Sequence, residues 1–318
     1  MIPLTEIEAA REAIAGKVLR TPLVRLNTPE IDRNIYLKLE NLQPIGSFKL
    51  RAAVNAFAKA SPSAMNKLNR GVFTASAGNW AQGVAWVARE LGLVCTIVVP
   101  EGAPKTKLAA IERLGARHIG VPWDRWWRCM TERRFEGLDG LFLHPVEDEP
   151  VMAGNGTIAL EILEDLPEVE VVLVPWGGGG LATGIASCLA QRAPKVRTYG
   201  VEIDTAAPLT ASLAAGAMTR VERRASFVDG IGGAELLPKM WPYARSLLSG
   251  AFTSSPTEIA DAIRLLAERN CVIAEGAGAC PVAVALSGNF ERKTVVCVVS
   301  GGNIDTNILA KILMGNFD

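Results

Sequence analysis

The sequence predicts an α/β protein whose parallel sheets are covered by helices, and three observations lead there. Strand-like and helix-like segments alternate along nearly the whole chain. Its 318 residues, 49% of them hydrophobic, can bury a large core and build two compact lobes. Glycines and small residues collect at the joins where strands give way to helices.

The elements justify this in order. "MIPLTEIEAAREAIAG" at the N-terminus reads as a helix with a capping box of Thr5 and Glu8. "NIYLKLE" (34–40) alternates as a strand does, and "KLRAAVNAFAKA" (49–60) is an amphipathic helix. Pro44, Gly46 and Ser47 turn the chain between them, with Ser47 as the expected cap. "GVFTA" (71–75) precedes a helix from Asn79 to Leu91, and "LVCTIVV" (93–99) precedes "KTKLAAIERLGA". "WDRWWR" (123–128) puts three tryptophans on one helix, which reads as core or interface. "VEVVLVP" (169–175) then leads into "LATGIASCLAQR", and "KVRTYGVE" (195–202) into a further apolar helix. No repeat or polar hinge divides the chain, so a second domain is expected as an insertion in the first.

Charge and composition exclude several classes. Thirty-three basic and 33 acidic residues cancel, so neither a nucleic acid nor a membrane surface is implied as partner. There is no signal-like start and no uncharged apolar run of bilayer length. Cys95, Cys129, Cys188, Cys271, Cys280 and Cys297 lack Cys-x-x-Cys spacing and read as small buried hydrophobes of a reducing, cytoplasmic compartment. The "NGT" at Asn155 is then a chance sequon. With only His118 and His144, a zinc site is not expected.

Four stretches carry chemistry. Lys49 falls in the first helical turn, where the positive end of the helix dipole disfavours a cation. Either it points into solvent, or the dipole and partial burial lower its pKa and make it a nucleophilic amine. In "VPWGGGGLATGIA" (174–186), Gly177, Gly178, Gly179 and Gly180 follow a buried strand and open a helix, so bare amides and the dipole converge as a phosphate site. "TASAGNWAQGVAW" (74–86) repeats the geometry, with Ser76, Gly78 and Asn79 as donors suited to a carboxylate or as an ordinary cap. "VVSGGNID" (298–305) puts Ser300 at a strand end, where open α/β sheets bind ligands. Gly177-x-Gly179-x-x-Ala182 with Glu202 also passes for a dinucleotide fingerprint, which keeps a nicotinamide oxidoreductase open. No Walker lysine follows the glycines, which disfavours a nucleotide triphosphatase.

In this order, the Ser-x-Lys segment, the Ser-x-Gly-Asn loop, the tetraglycine loop and the Ser-Gly-Gly-Asn strand end resemble the serine/threonine dehydratase and serine racemase group of pyridoxal-phosphate enzymes. "LENLQPIGSFKLRAA", "HPVEDEPVMAGNGTIALEIL" and "AEGAGA" add to the likeness, which runs from about Thr21 to Asn303. It implies the tryptophan-synthase-β-like fold, with two open, mostly parallel twisted sheets flanked by helices. Residues 1–49 and 148–318 would form the large cofactor domain and 50–147 a small mobile one. By the same resemblance Lys49 forms an imine with pyridoxal 5'-phosphate (a Schiff base), Phe48 lies beside the cofactor and Asn79 bonds its ring hydroxyl. Gly177–Gly180 and Leu181 bind its phosphate and Ser300 faces its ring nitrogen. Ser76, Ala77, Gly78, Asn79 and Trp80 border the substrate. A homodimer acting on a small hydroxy amino acid is implied.

Three departures bear on the reaction. Ala77 stands where racemases of the group carry a second serine, so dehydration is expected over racemisation. Trp80 replaces the usual histidine, which leaves threonine, serine, 3-hydroxyaspartate and phenylserine open as substrates. The metal cluster Glu-x-x-x-Ala-x-Asp reads Glu202, Ala206 and Pro208, so no metal is expected. The chain ends soon after Ser300, and a catabolic or unregulated enzyme without a regulatory domain is the expectation. The reading is a pyridoxal-phosphate-dependent ammonia-lyase, set against the oxidoreductase and a catalytically silent ligand-binding protein.

Overall fold

The computed structural model describes residues 1–28, 34–60, 62–287, 290 and 293–316. Its strands are β1 (Leu23–Arg25), β2 (Asn34–Leu39), β3 (Val72–Ala75), β4 (Cys95–Pro100), β5 (Arg117–Val121), β6 (Leu141–Phe142), β7 (Val171–Pro175), β8 (Arg197–Ile203), β9 (Gly250–Ser254) and β10 (Thr294–Val299). They form a six-stranded sheet in the order β1-β2-β10-β7-β8-β9 and a four-stranded sheet in the order β5-β4-β3-β6. Every pairing is parallel except β1 with β2. The expected pair of open, mostly parallel sheets is therefore the architecture found.

The helices are α1 (Leu4–Ile14), α2 (Lys49–Ala58), α3 (Pro62–Leu68), α4 (Asn79–Glu90), α5 (Lys105–Arg113), α6 (Trp123–Glu132), α7 (Glu149–Asp165), α8 (Gly180–Arg192), α9 (Pro208–Ala215), α10 (Trp241–Leu247), α11 (Pro256–Asn270), α12 (Gly276–Leu286) and α13 (Thr306–Leu313). β7 and β10 are apolar at nearly every position because helices cover both their faces. One core lies on the side of α11 and α12, with Leu37, Leu173 and Cys297 pointing into it. A second lies on the side of α7 and α8, with Val172, Val174 and Val298 pointing the other way. A third core fills the space around α2, α4 and β4, through Leu50, Val84 and Ile97. No helix among the described residues is long and apolar enough to cross a membrane.

Several local expectations fail. The capping box of Thr5 and Glu8 does not form, because the helix starts two residues early with Pro3 as its N-cap. Ser47 does not cap α2: Phe48 holds the N-cap position with helical angles, and the buried Ser47 hydroxyl finds no partner among the described residues. That segment is bound through backbone pairing instead, with Phe48 N–H donating to Ser300 O at 2.9 Å and Gly302 N–H to Gly46 O at 2.9 Å. Cys271 is exposed, in the left-handed conformation that ends α11, while the other five cysteines are buried. Asn155 lies fully buried within α7, out of reach of any glycan.

A buried charge cluster ties β2, α2 and α7 together. The Arg51 guanidinium, with no solvent exposure, donates to both oxygens of Glu40 at 2.8 Å and to both of Glu161 at 2.7 and 2.8 Å. Lys38 Nζ reaches Glu161 at 2.6 Å, and the Thr21 hydroxyl donates to Glu40 at 2.6 Å. Each charge has several partners, as desolvation of this degree requires. The cluster anchors the first turn of α2, two residues from Lys49.

Candidate active site

A cavity of about 660 Å³ opens between the C-terminal ends of the two sheets. Lys49 enters it from the start of α2. Its Nζ donates to the Pro145 carbonyl at 2.9 Å and lies 5.0 Å from the Phe48 ring and 5.5 Å from that of Trp80. Burial lowers its pKa to about 8. Of the two readings of this lysine, the solvent-facing one is not what the structure shows.

Opposite stands the glycine loop. β7 ends at Pro175, and Gly177 to Gly180 bend the chain into α8, with Gly179 at φ 94°. A Cβ on Gly178 would fall 2.5 Å from Val146, and one on Gly179 would fall 2.6 Å from the Trp176 ring, so side chains are excluded from the cradle. Leu181 lies in the first turn of α8 and lines the cavity together with the four glycines. Bare amides at a helix start, close to a half-buried amine, fit a phosphorylated aldehyde such as pyridoxal phosphate.

Ser300, buried just beyond β10, also lines the cavity. A neutral hydroxyl at that point suits an unprotonated ring nitrogen. Asn79, the first residue of α4, is held from two sides: Nδ2 donates to Glu275 Oε1 and Oδ1 accepts from Asn303 Nδ2, each at 2.8 Å. Burial, with the charge of Asp229, raises the Glu275 carboxyl to about 7. The turn before α4 is closed by Gly78 N–H donating to Ser76 Oγ at 3.2 Å, and Ser76, Ala77 and Gly78 all face the cavity. Trp80 is buried beside the amine, its indole N–H donating to the Thr74 hydroxyl at 2.8 Å and to the Leu143 carbonyl at 3.3 Å.

The structure thus brings every one of the sequence-selected residues from Phe48 to Ser300 to one cavity. It adds others. His144 Nδ1 accepts the N–H groups of Val146 and Glu147 at 3.1 and 2.9 Å, which shapes the loop that meets Lys49. Burial, reinforced by the Arg133 charge, lowers that histidine to about 4 and keeps it neutral. Lys107 of α5 and Asp229 pair across the cleft. Trp123 and Trp126 line the cavity, which their reading as core or interface did not foresee, although Trp126 also packs on a core cluster. Only "AEGAGA" and "SGGN" hinted at Glu275 and Asn303, whereas Asp229 lies in no distinctive motif.

Glu202 is engaged elsewhere. Its carboxylate accepts the N–H groups of Leu209 and Thr210 at 2.9 and 2.8 Å and the Thr210 hydroxyl at 2.9 Å, so it caps α9. Among the described residues no group of three His, Cys, Asp or Glu is placed to hold a metal ion.

The chain was compared with known proteins. The family model described as "Pyridoxal-phosphate dependent enzyme" matches residues 14–301. The chain is 40% identical to the L-threonine ammonia-lyase of Thermotoga maritima, over 98% of this chain and 78% of that one. It is 38% identical to a catabolic L-threonine dehydratase of Staphylococcus aureus, over 98% and 92%. Among solved structures, maize serine racemase superposes with a TM-score of 0.89 at 29% identity, covering 98% of this chain and 97% of that one. The processed threonine deaminase isoform 2 of Solanum lycopersicum superposes with a TM-score of 0.87 at 30% identity, covering 98% and 86%. On a match that spans most of its length, the chain belongs to the pyridoxal-phosphate-dependent enzyme family.

Proposed function

We propose that the protein is an ammonia-lyase that dehydrates an L-3-hydroxy amino acid of the threonine or serine type to a 2-oxo acid and ammonia. The observation that carries this is the half-buried Lys49 amine, its pKa lowered to about 8, in one cavity with the glycine cradle and the Ser300 strand end. The similarity to threonine ammonia-lyases and dehydratases over nearly the whole chain supports it.

The roles are those the family resemblance implies, and the shared cavity supports them. Amides of Gly177–Gly180 and Leu181 would hold the phosphate, Ser300 would meet the ring nitrogen, Phe48 would pack beside the ring, and Asn79, fixed by Glu275 and Asn303, would orient its hydroxyl. Pyridoxal phosphate, when bound, supplies an electron sink for negative charge at the α-carbon. Ser76 and Gly78 hold the substrate carboxylate at the start of α4, with Ala77 and Trp80 bordering it. Lys49 then takes the α-proton on its own face. The β-hydroxyl leaves as water, and hydrolysis of the resulting enamine gives the oxo acid and ammonia.

The reading includes a mobile unit of residues 50–147 that closes on substrate, a homodimeric state and a cytoplasmic setting. The arrangement of strands β3 to β6 in a sheet of their own supports the first. Purified enzyme supplied with pyridoxal phosphate, absorbing in the visible and releasing ammonia and oxo acid from a hydroxy amino acid, would establish the function. A coloured protein that releases ammonia from none of a panel would refute it in favour of a silent binder. Nicotinamide binding with no pyridoxal binding would favour the oxidoreductase.

A further inference from the structure

The strand ends of the four-stranded sheet carry a wall that none of these steps uses. β3 runs into Ser76, β4 into Glu101 and β5 into Pro122, the N-cap of α6; because these strands are parallel neighbours, the three junctions sit side by side at the cleft. At the third junction Trp123, Trp126 and Met130 all line the cavity that holds Lys49. Spacings of three and four residues put them on one stripe of the helix. The stripe is held by packing within the fold: the Trp123 and Trp126 rings lie 4.8 Å apart, and Trp126 and Met130 pack on the core of Phe73, Ala75 and Val98. Trp123 remains 55% exposed, which leaves ring surface free to cover a ligand.

We propose that Trp123, Trp126 and Met130 recognise the substituent on the substrate's β-carbon and select an apolar group larger than methyl, an aryl group above all. This rests on the dehydratase reading of the same site and names its substrate class. The walls argue against an anionic substituent. Lys107 is neutralised by Asp229, and Arg223 lies exposed on the loop after α9, whereas the apolar stripe stands on a packed helix. An indole pair offers an aryl group stacked or edge contacts, and little to the hydrogen of serine.

The test uses the cofactor-loaded enzyme and two unreactive amino acids, L-phenylalanine and L-2-aminobutyrate, titrated by the change in cofactor absorbance. L-Phenylalanine should bind at least about tenfold more tightly, a ratio within reach of one apolar pocket. Trp126→Ala and Trp123→Ala should each reduce that ratio about tenfold without changing cofactor content, and Trp123→Ala should leave the melting temperature unchanged as well. Trp123, half in solvent, provides a variant that folds even if the Trp126 one does not. In turnover, kcat/KM for 3-phenylserine should exceed that for threonine, and the variants should reverse the order. Equal or weaker binding of L-phenylalanine, or a ratio indifferent to both substitutions, overturns the proposal. Preference for 3-hydroxyaspartate overturns it in favour of Arg223. The expected binding ratio with no oxo acid from any hydroxy amino acid would uphold the recognition stripe and sink the dehydratase reading alone.

Discussion

Phe48 and Ser300 are joined backbone to backbone, the N–H of one donating to the carbonyl of the other at 2.9 Å. The residue before the Lys49 amine is thus fixed to a strand end that lines the same cavity. Two groups 252 positions apart in sequence behave as parts of one rigid frame, because β10 is central in its sheet and paired on both sides.

That frame makes the behaviour of Lys49 measurable. Burial sets its pKa at about 8, and only the neutral amine is a nucleophile. Capture of pyridoxal phosphate by the cofactor-free protein should therefore speed up as pH rises through about 8 and level off above it. Borohydride reduction followed by peptide mass mapping should place a pyridoxyl group on Lys49. A label on any other lysine would contradict the assignment.

The Arg51 cluster predicts a stability effect. Burial alone would raise Glu40, but the charge and hydrogen bonds of Arg51 more than offset this and hold it below the usual carboxylate range. Ionised Glu40 therefore adds stability that is present above its unfolded value of about 4.3 and lost as pH falls through the lower folded value. Arg51→Met leaves two buried carboxylates with Lys38 as their remaining cation and should cost about 3–5 kcal/mol by urea unfolding at neutral pH. The gap from the parent protein should narrow in acid, and a constant gap would deny Glu40 this role.

Turnover should be nearly insensitive to chelator. Both oxygens of Glu202 are spent on the N-terminus of α9, whose first residue is Pro208, a side chain with no oxygen to offer a cation. Assay after exhaustive chelation checks this, and a large loss reversed by magnesium would mean that Glu202 leaves its cap.

Elimination should outrun racemisation. In the proposed reaction Lys49 would serve one face of the α-carbon while Ala77 would offer only a methyl group, and the absence of a positioned acid or base is a deficit of roughly 10²- to 10⁴-fold. Oxo acid should form far faster than the D-isomer, and Ala77→Ser should raise D-isomer relative to oxo acid. Chiral chromatography of a timed reaction decides it; equal rates in the unmodified enzyme would assign the second face to another residue.

What the sequence revealed followed the range of the forces involved. Strands such as 171–175 and helices such as 79–90 are written in local periodicity, and the glycine loop in composition, so all were legible. Ser47 was misjudged because it pairs with Gly301, 254 residues away, and that pairing overrides the local capping preference. Trp123 and Trp126 were misjudged because a stripe of tryptophans looks the same whether it faces a core or a cleft. Glu275 gains its importance only when folding brings Asn79 against it.

The division of the cavity between two sheets also bears on how such a protein changes over generations. The glycine cradle and Ser300 follow strands of the six-stranded sheet, whereas the aromatic stripe follows β5 in the other. Substitutions along α6 can therefore accumulate without disturbing the apparatus that retains the cofactor. A lineage built this way can explore new metabolites through one helix while the glycine cradle, Ser300 and the end of β3 preserve the chemistry, and a gene duplicate would find its shortest route to a new substrate at positions 123, 126 and 130.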